Sequence, residues 1–349
     1  MPDIGKMRIL VDKVMQAEAD WVTEEWMIEE TARAGFNVYS PRRGFDKPDE
    51  VRAVAEWCEK NDMMHMPWMG GSLPTPDDSS ADGKKLSWSS GFEQDIWSPN
   101  SDEFWEWMKR HIVNHARISA DYPSSLMGVF LDFENYAPGA PRYGKVCYPL
   151  SFDDRILNMF AEHKGITLPD LPLDKRTDWL REKSLYGDFE GYQIDYWQRQ
   201  CREIRNAVDE YNSGFKFCVY PAPGTLFITK ACYPEWSSQN VPLLLADPAS
   251  YGWASGPTSR EWALGFNQGK LVERMKVPQQ ADINFKYLGG IDPAVFGAGP
   301  EFCGRNAVGI TDVCDGYWVF YEGPDYKVDH KHYFSWFRRA NNAIAKVRW

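Results

Sequence analysis

The sequence predicts an α/β fold: a single (β/α)8 TIM barrel with enlarged βα loops. Three observations predict it. Short apolar runs alternate with helical patterns, and eight such units follow one another along 349 residues. Many of the runs end in acids or aromatics and then break at Gly or Pro, as barrel strands do where they open onto an active face. Neither a GxGxxG nor a phosphate loop marks the alternative, an open doubly wound sheet.

The elements follow in order. Arg8 to Val11 is the first strand. Ala19 to Ala34 carries Trp21, Trp26, Ile28 and Ala32 near helical spacing, with Gly35 as a stop. Phe36 to Tyr39 is the second strand, followed by a helix from Pro48 to Asn61 with Val51, Val54, Ala55 and Cys58 on one face. Met64 to Trp68 is the third strand. The polar segment at about 72–99 contains Trp88, Phe92 and Trp97, so it reads as an ordered flap over the mouth. A helix over 101–119 precedes the fourth strand. A second insertion, at about 137–185, enlarges the fourth unit, and a long amphipathic helix runs from about Tyr186 to Tyr211. Strands five to eight are Phe215–Tyr220, Leu243–Ala246, Ile283–Leu288 and Gly316–Tyr321. Helices over 259–276, 301–310 and 330–347 alternate with the last of them. The whole chain, 1–349, is expected to form one catalytic domain.

Composition narrows the function. A formal net charge of −11 argues against a nucleic-acid partner. No run of eighteen apolar residues is present, so no membrane-spanning helix is expected. Sixteen Trp and seventeen Tyr exceed the needs of packing, and flat rings lining a cleft suit sugars. Seven Cys form no CxxC pair, which excludes a zinc ribbon, and His111 and His115 share a helix face with no third ligand. No metal or organic cofactor is implied. The chain begins almost directly in a strand, which fits a secreted or periplasmic protein whose leader has been removed.

The chemistry concentrates on the fourth strand, Gly128-Val129-Phe130-Leu131-Asp132-Phe133-Glu134-Asn135-Tyr136. Side chains alternate along a strand, so Asp132 and Glu134 leave its end on one face. The other strand ends add Tyr39 and Arg42, Trp68, Tyr220, Asp247 with Tyr251 and Trp253, Asp292, and Trp318, Tyr321 and Glu322. Trp318 and Glu322 share parity. Several carboxyl groups among aromatics around one mouth are what glycosidic cleavage needs. One acid holds a proton for the leaving oxygen, another stays charged, and crowding separates their pKa values. The candidate catalytic residues are therefore Glu134, Asp132, Glu322 and Asp247. The candidate sugar-binding residues are Tyr39, Arg42, Trp68, Asn135, Tyr136, Tyr220, Tyr251, Trp253, Asp292, Trp318 and Tyr321. The expected partner is a carbohydrate.

Asp132-Phe133-Glu134, with its apolar lead and Asn135-Tyr136 behind it, resembles the strand-four Asp-x-Glu signature of chitinase-like glycoside hydrolases of family 18 and related barrels. The resemblance covers about a dozen residues and implies Glu134 as the proton donor and Asp132 as its helper. It further implies Asp247 and Tyr251 as strand-six partners and Trp318 as a pocket floor. The further acids of that pattern are absent from Gly128 to Leu131. In several α-glycosidase barrels a strand-four Asp is the nucleophile and a strand-six Asp the acid, a pattern that Asp132 and Asp247 resemble. The large retaining clan with Asn-Glu on strand four and Glu on strand seven is a poorer match, because strand seven ends in Asp292. Two rival readings remain: a non-catalytic carbohydrate-binding barrel, and a sugar lyase or isomerase using Lys286 or Tyr220.

Overall fold

A computed structural model describes residues 5–136, 149–251, 261–295 and 297–346. Its main sheet contains β1 (Met7–Asp12), β2 (Val38–Pro41), β3 (Met64–His65), β4 (Trp68–Gly70), β7 (Gly128–Asp132), β8 (Lys216–Tyr220), β9 (Leu243–Asp247), β10 (Phe285–Ile291) and β11 (Gly316–Tyr321). The pairing order is β3-β2-β1-β11-β10-β9-β8-β7-β4, and every pair is parallel.

The two ends of this order are halves of one strand. Met64 N donates to Asn37 O (2.9 Å) and Met66 N to Tyr39 O (3.0 Å), both toward β2. His65 N donates to Ser125 O (2.6 Å), while His65 O and Pro67 O accept from Met127 and Phe130. Backbone groups that point alternately to two neighbours define a single strand between them. The sheet thus closes into the eight-fold barrel, with β3 and β4 together as its third strand, β7 as its fourth and β11 as its eighth.

Two apolar layers follow from the period of two. Ile9, Val11, Val38, Met66, Phe130, Cys218, Leu244, Leu288 and Trp318 fill the barrel interior. Leu10, Tyr39, Met69, Val129, Leu131, Phe217, Val219, Leu243, Leu245, Tyr287 and Val319 face outward into a larger core shared with the helices. Because both faces are covered, the middles of the strands are mostly apolar on both sides.

The helices are α1 (Val14–Glu18), α2 (Glu25–Arg33), α3 (Pro48–Lys60), α4 (Asp102–Asp121), α5 (Asp154–Lys164), α6 (Leu173–Glu182), α7 (Tyr186–Asp209), α8 (Tyr233–Trp236), α9 (Glu261–Gln280), α10 (Pro300–Val313) and α11 (His330–Lys346). Ser101 caps α4 and Asp153 caps α5, accepting from Phe104 N and Ile156 N. Pro48 and Pro300 open α3 and α10, where no backbone donor is needed. The stretch from Ala19 expected to be helical starts as a turn, and α2 begins only at Glu25. A π-type turn over Phe227–Cys232 runs into α8, between the fifth and sixth strands, where the sequence showed no helix.

The segment around 72–99 contains a hairpin of β5 (Lys85–Ser87) and β6 (Glu93–Trp97). Its Trp88 and Trp97 are buried in the outer core. A buried network fastens its base. Asp153 accepts from Ser98 (2.6 Å), Asn100 (3.0 Å) and Ser151 (2.7 Å), and Trp197 Nε1 donates to Asn100 (2.8 Å). Each polar group there meets a partner, which is the condition for burying it.

Candidate active site

The inward residues at the C-terminal ends of the strands form the mouth. Continuing the inner parity of each strand places Lys13 beyond β1, Arg42 beyond β2, Trp68 in β4, Asp132 and Glu134 at β7, and Tyr220 in β8. The same parity places Asp292 after β10 and Glu322 after β11, with Tyr251 from the loop after β9. Trp318 lies beneath them, buried and edge-to-face with Tyr220 (5.0 Å between centroids) and Tyr251 (5.4 Å). Its Nε1 is buried and has no hydrogen-bond partner.

Asp132 and Glu134 form one dyad. The Glu134 backbone N–H donates to Asp132 Oδ1 (2.8 Å). Glu134 Oε1 accepts from the hydroxyls of Tyr136 (2.6 Å) and Tyr220 (3.3 Å). Burial pushes the Asp132 carboxyl up to about 8, and the negative charge of Glu134 adds to the rise. That backbone hydrogen bond, Arg42 and Lys13 oppose it.

Asp292 and Glu322 form a second dyad, three to four strands around the ring and so across the mouth. Asp292 is buried and accepts from the backbone of Ala294 (2.8 Å) and Val295 (3.1 Å). Burial raises it to about 7, with the Glu322 charge as the second cause. Glu322 is ion-paired with Lys13. The Arg42 guanidinium stacks on Trp68, 3.5 Å from the ring centroid, and feels both Asp132 and Glu322. Its Nε is buried without a partner.

Three expected site residues point away from this mouth. Asp247 has the outer parity of Leu243 and Leu245 and is fully buried behind the sheet. There it accepts from Arg274 of α9 (2.7 Å) and from the Tyr287 hydroxyl (2.5 Å). Tyr39 is also on the outer face, donating to Asp12 (2.9 Å). Tyr321 packs outward against His330 and Phe334. Asn135 is engaged in a reciprocal amide pair with Gln94 (2.8 and 3.2 Å), which docks the hairpin on the strand-four end. Trp253 lies outside the described residues.

Lys286 shares inner parity with Leu288 but sits six residues before Asp292, about 20 Å toward the opposite end. No group of three or more metal-ligating side chains occurs among the described residues. Lys13 was missed by the sequence reading, although Ile9, Val11 and Lys13 share one parity.

No family model and no curated protein matches the chain. Solved structures do. A β-galactosidase from the psychrophilic Marinomonas ef1 superposes with a TM-score of 0.60 at 11% identity, covering 97% of this chain and 60% of that one. A glycoside hydrolase family 5 enzyme from Prevotella bryantii B14, solved with a xyloglucan tetradecasaccharide, gives 0.52 at 9%, covering 97% and 96%. A β-glucanase from Saccharophagus degradans, solved with cellotetraose, gives 0.51 at 9%, covering 98% and 89%. The chain spans about 60% of the length of the β-galactosidase. At these identities the likeness is one of fold, and it agrees with the barrel closed by β3 and β4.

Proposed function

We propose that the chain is a glycoside hydrolase whose reaction takes place between the two dyads. The observation that carries this reading is the Asp132–Glu134 pair, on the inner face at the end of the fourth strand. Near neutral pH the pair holds one proton, resident on Asp132, which burial raises to about 8, while Glu134 accepts from two phenols. That proton is given to the glycosidic oxygen as the bond to the anomeric carbon breaks. A carboxylate of the Asp292–Glu322 dyad stabilises the positive charge that grows on the sugar ring, a water molecule adds to the anomeric carbon, and the proton it loses restores the Asp132–Glu134 pair. The proton donor in this reading is thus Asp132, the helper of the sequence reading, with Glu134 as the charged member of the pair.

The remaining groups fit the same reading. Trp68, Tyr220 and Tyr251, with Trp318 packed beneath the two tyrosines, supply an apolar floor. The β-galactosidase and β-glucanase neighbours support a carbohydrate substrate by analogy of fold alone. The test is hydrolysis across aryl glycosides and natural oligosaccharides, with Glu134→Gln and Asp132→Asn beside the wild type. Loss of about 10²–10⁴-fold in either variant is expected. Activity that survives both changes overturns the site, and a silent panel with sugars still bound turns the reading to a binding barrel.

A further inference from the structure

A second cleft opens beside the mouth. It has a volume of about 370 Å³ and is lined by Lys13, Glu18, Trp21, Glu322, Asp325 and Tyr326, among others. That volume lies in the lower part of the range of roughly 300–1,000 Å³ found for small-molecule sites. Lys13 and Glu322 belong to the mouth as well, so the two spaces share a wall. The loops after the first and eighth strands build the rest.

Trp21 is held for this position. Its backbone is left-handed (φ 64°), as is that of Asp20 before it (φ 51°). A bulky residue rarely adopts that region, and it persists only where its surroundings impose it. Here Trp21 N donates to Gln16 O (2.6 Å), and the Arg43 guanidinium covers the ring at 4.2 Å from its centroid. Arg43 does not line the cleft, so it braces the indole from behind. Tyr326 is fixed in turn by ring contacts with Trp26 (5.7 Å) and His330 (4.8 Å). The lining thus combines two immobilised aromatic rings with carboxylates held in place, Glu18 by Lys327, Glu322 by Lys13 and Asp325 by the backbone of Lys327 and Val328, a pairing that suits a pyranose.

We propose that this cleft is a second sugar subsite, stacking a ring on Trp21, so that the substrate is an oligosaccharide running from the mouth over the first and eighth loops. The proposal rests on the glycosidase reading for its location next to the reacting centre. The carboxylates make a neutral or amino sugar the suitable occupant, and a uronate unsuitable.

The test compares 4-nitrophenyl monosaccharides with two- to six-ring oligosaccharides of the same sugar, in the wild type, Trp21→Ala and Trp21→Phe. The expected kcat/KM of the wild type rises at least tenfold between the monosaccharide and the three-ring chain. Trp21→Ala removes that rise through KM, with a loss that grows with chain length, and Trp21→Phe restores most of it. No gain with chain length in the wild type, or an equal loss on every substrate, overturns the subsite. If nothing is hydrolysed, titration of the same oligosaccharides by tryptophan fluorescence separates the two ideas. Affinity that rises with length and is lost in Trp21→Ala keeps the subsite and sinks the glycosidase; absence of binding sinks both.

Discussion

Lys13 and Glu322, just beyond the first and eighth barrel strands, form an ion pair whose positive end acts on both aspartates of the mouth. The Lys13 charge lowers Asp132 and Asp292 alike, against the burial that raises them. Two dyads across a cavity are thereby tied to one cation. Replacing it with an isosteric apolar side chain, Lys13→Met, removes that restraint. Both aspartates are then expected to titrate higher. The check is the pH profile of kcat/KM, whose aspartate-controlled limb moves upward in the variant. A limb that stays in place refutes the coupling.

Asp132 also links the site to stability. An aspartyl carboxyl titrates near 3.9 in an unfolded chain, and burial brings Asp132 to about 8 in the folded one. Between those values the folded chain binds a proton that the unfolded chain has released. Stability therefore falls as pH rises through that window and levels off above about 8. Asp132→Asn removes the charge that has to be buried. Its Tm is expected to match the wild type near pH 4 and to exceed it by a few degrees at pH 8.5. Thermal unfolding of both proteins at the two pH values is the measurement, and a lower Tm for the variant at pH 8.5 counts against the buried-carboxyl account.

Much of this was legible in the chain, for reasons that can be traced to single residues. The alternation of Gly128, Phe130, Asp132 and Glu134 announces a strand whose inner face ends in two acids. Trp318 and Glu322 are legible in the same way, and their parity already sends Tyr321 outward. Asp247 was not legible. Leu243-Leu244-Leu245-Ala246 is apolar at every position because both faces of β9 are buried, so nothing in the pattern says which face the next residue takes. Tyr39 follows Val38 under the same ambiguity. The Asn135–Gln94 pair joins residues 41 positions apart, and only the folded hairpin brings them together.

The outward position of Asp247 makes a contrasting prediction. Its carboxylate satisfies Arg274, the Tyr287 hydroxyl and the Ala249 backbone behind the sheet. Asp247→Asn keeps the shape but weakens these bonds, for a cost of roughly 1–3 kcal/mol. Arg274 is partly solvated, which holds the loss below that of a fully buried pair. The folded variant is expected to retain kcat/KM within a few-fold, because the Asp247 side chain points away from the mouth. Urea denaturation alongside steady-state kinetics distinguishes the cases. A collapse of kcat at undiminished stability returns Asp247 to the catalytic set.

Gly290 gives the last prediction, because it holds the floor of the mouth open. It lies on the inner face of β10, two residues before Asp292, and both Tyr251 and Trp318 lean over it. A Cβ placed there would meet the Tyr251 ring at 2.5 Å, the Asp247 carbonyl at 2.9 Å and the Trp318 ring at 2.9 Å. The carbonyl is backbone and cannot rotate aside, and the two rings are wedged against each other. Overpacking of this kind costs about 1–3 kcal/mol. The rings that move are also those that line the space between the dyads. Gly290→Ala is therefore expected to lower both Tm and substrate affinity. Gly309→Ala, inside α10, where a Cβ would meet only the flexible Gln268 side chain at 3.4 Å, is expected to hold or slightly raise Tm and to leave substrate affinity unchanged. Tm and KM measured on the two variants decide it: equal behaviour would mean that the floor yields more readily than its contacts imply.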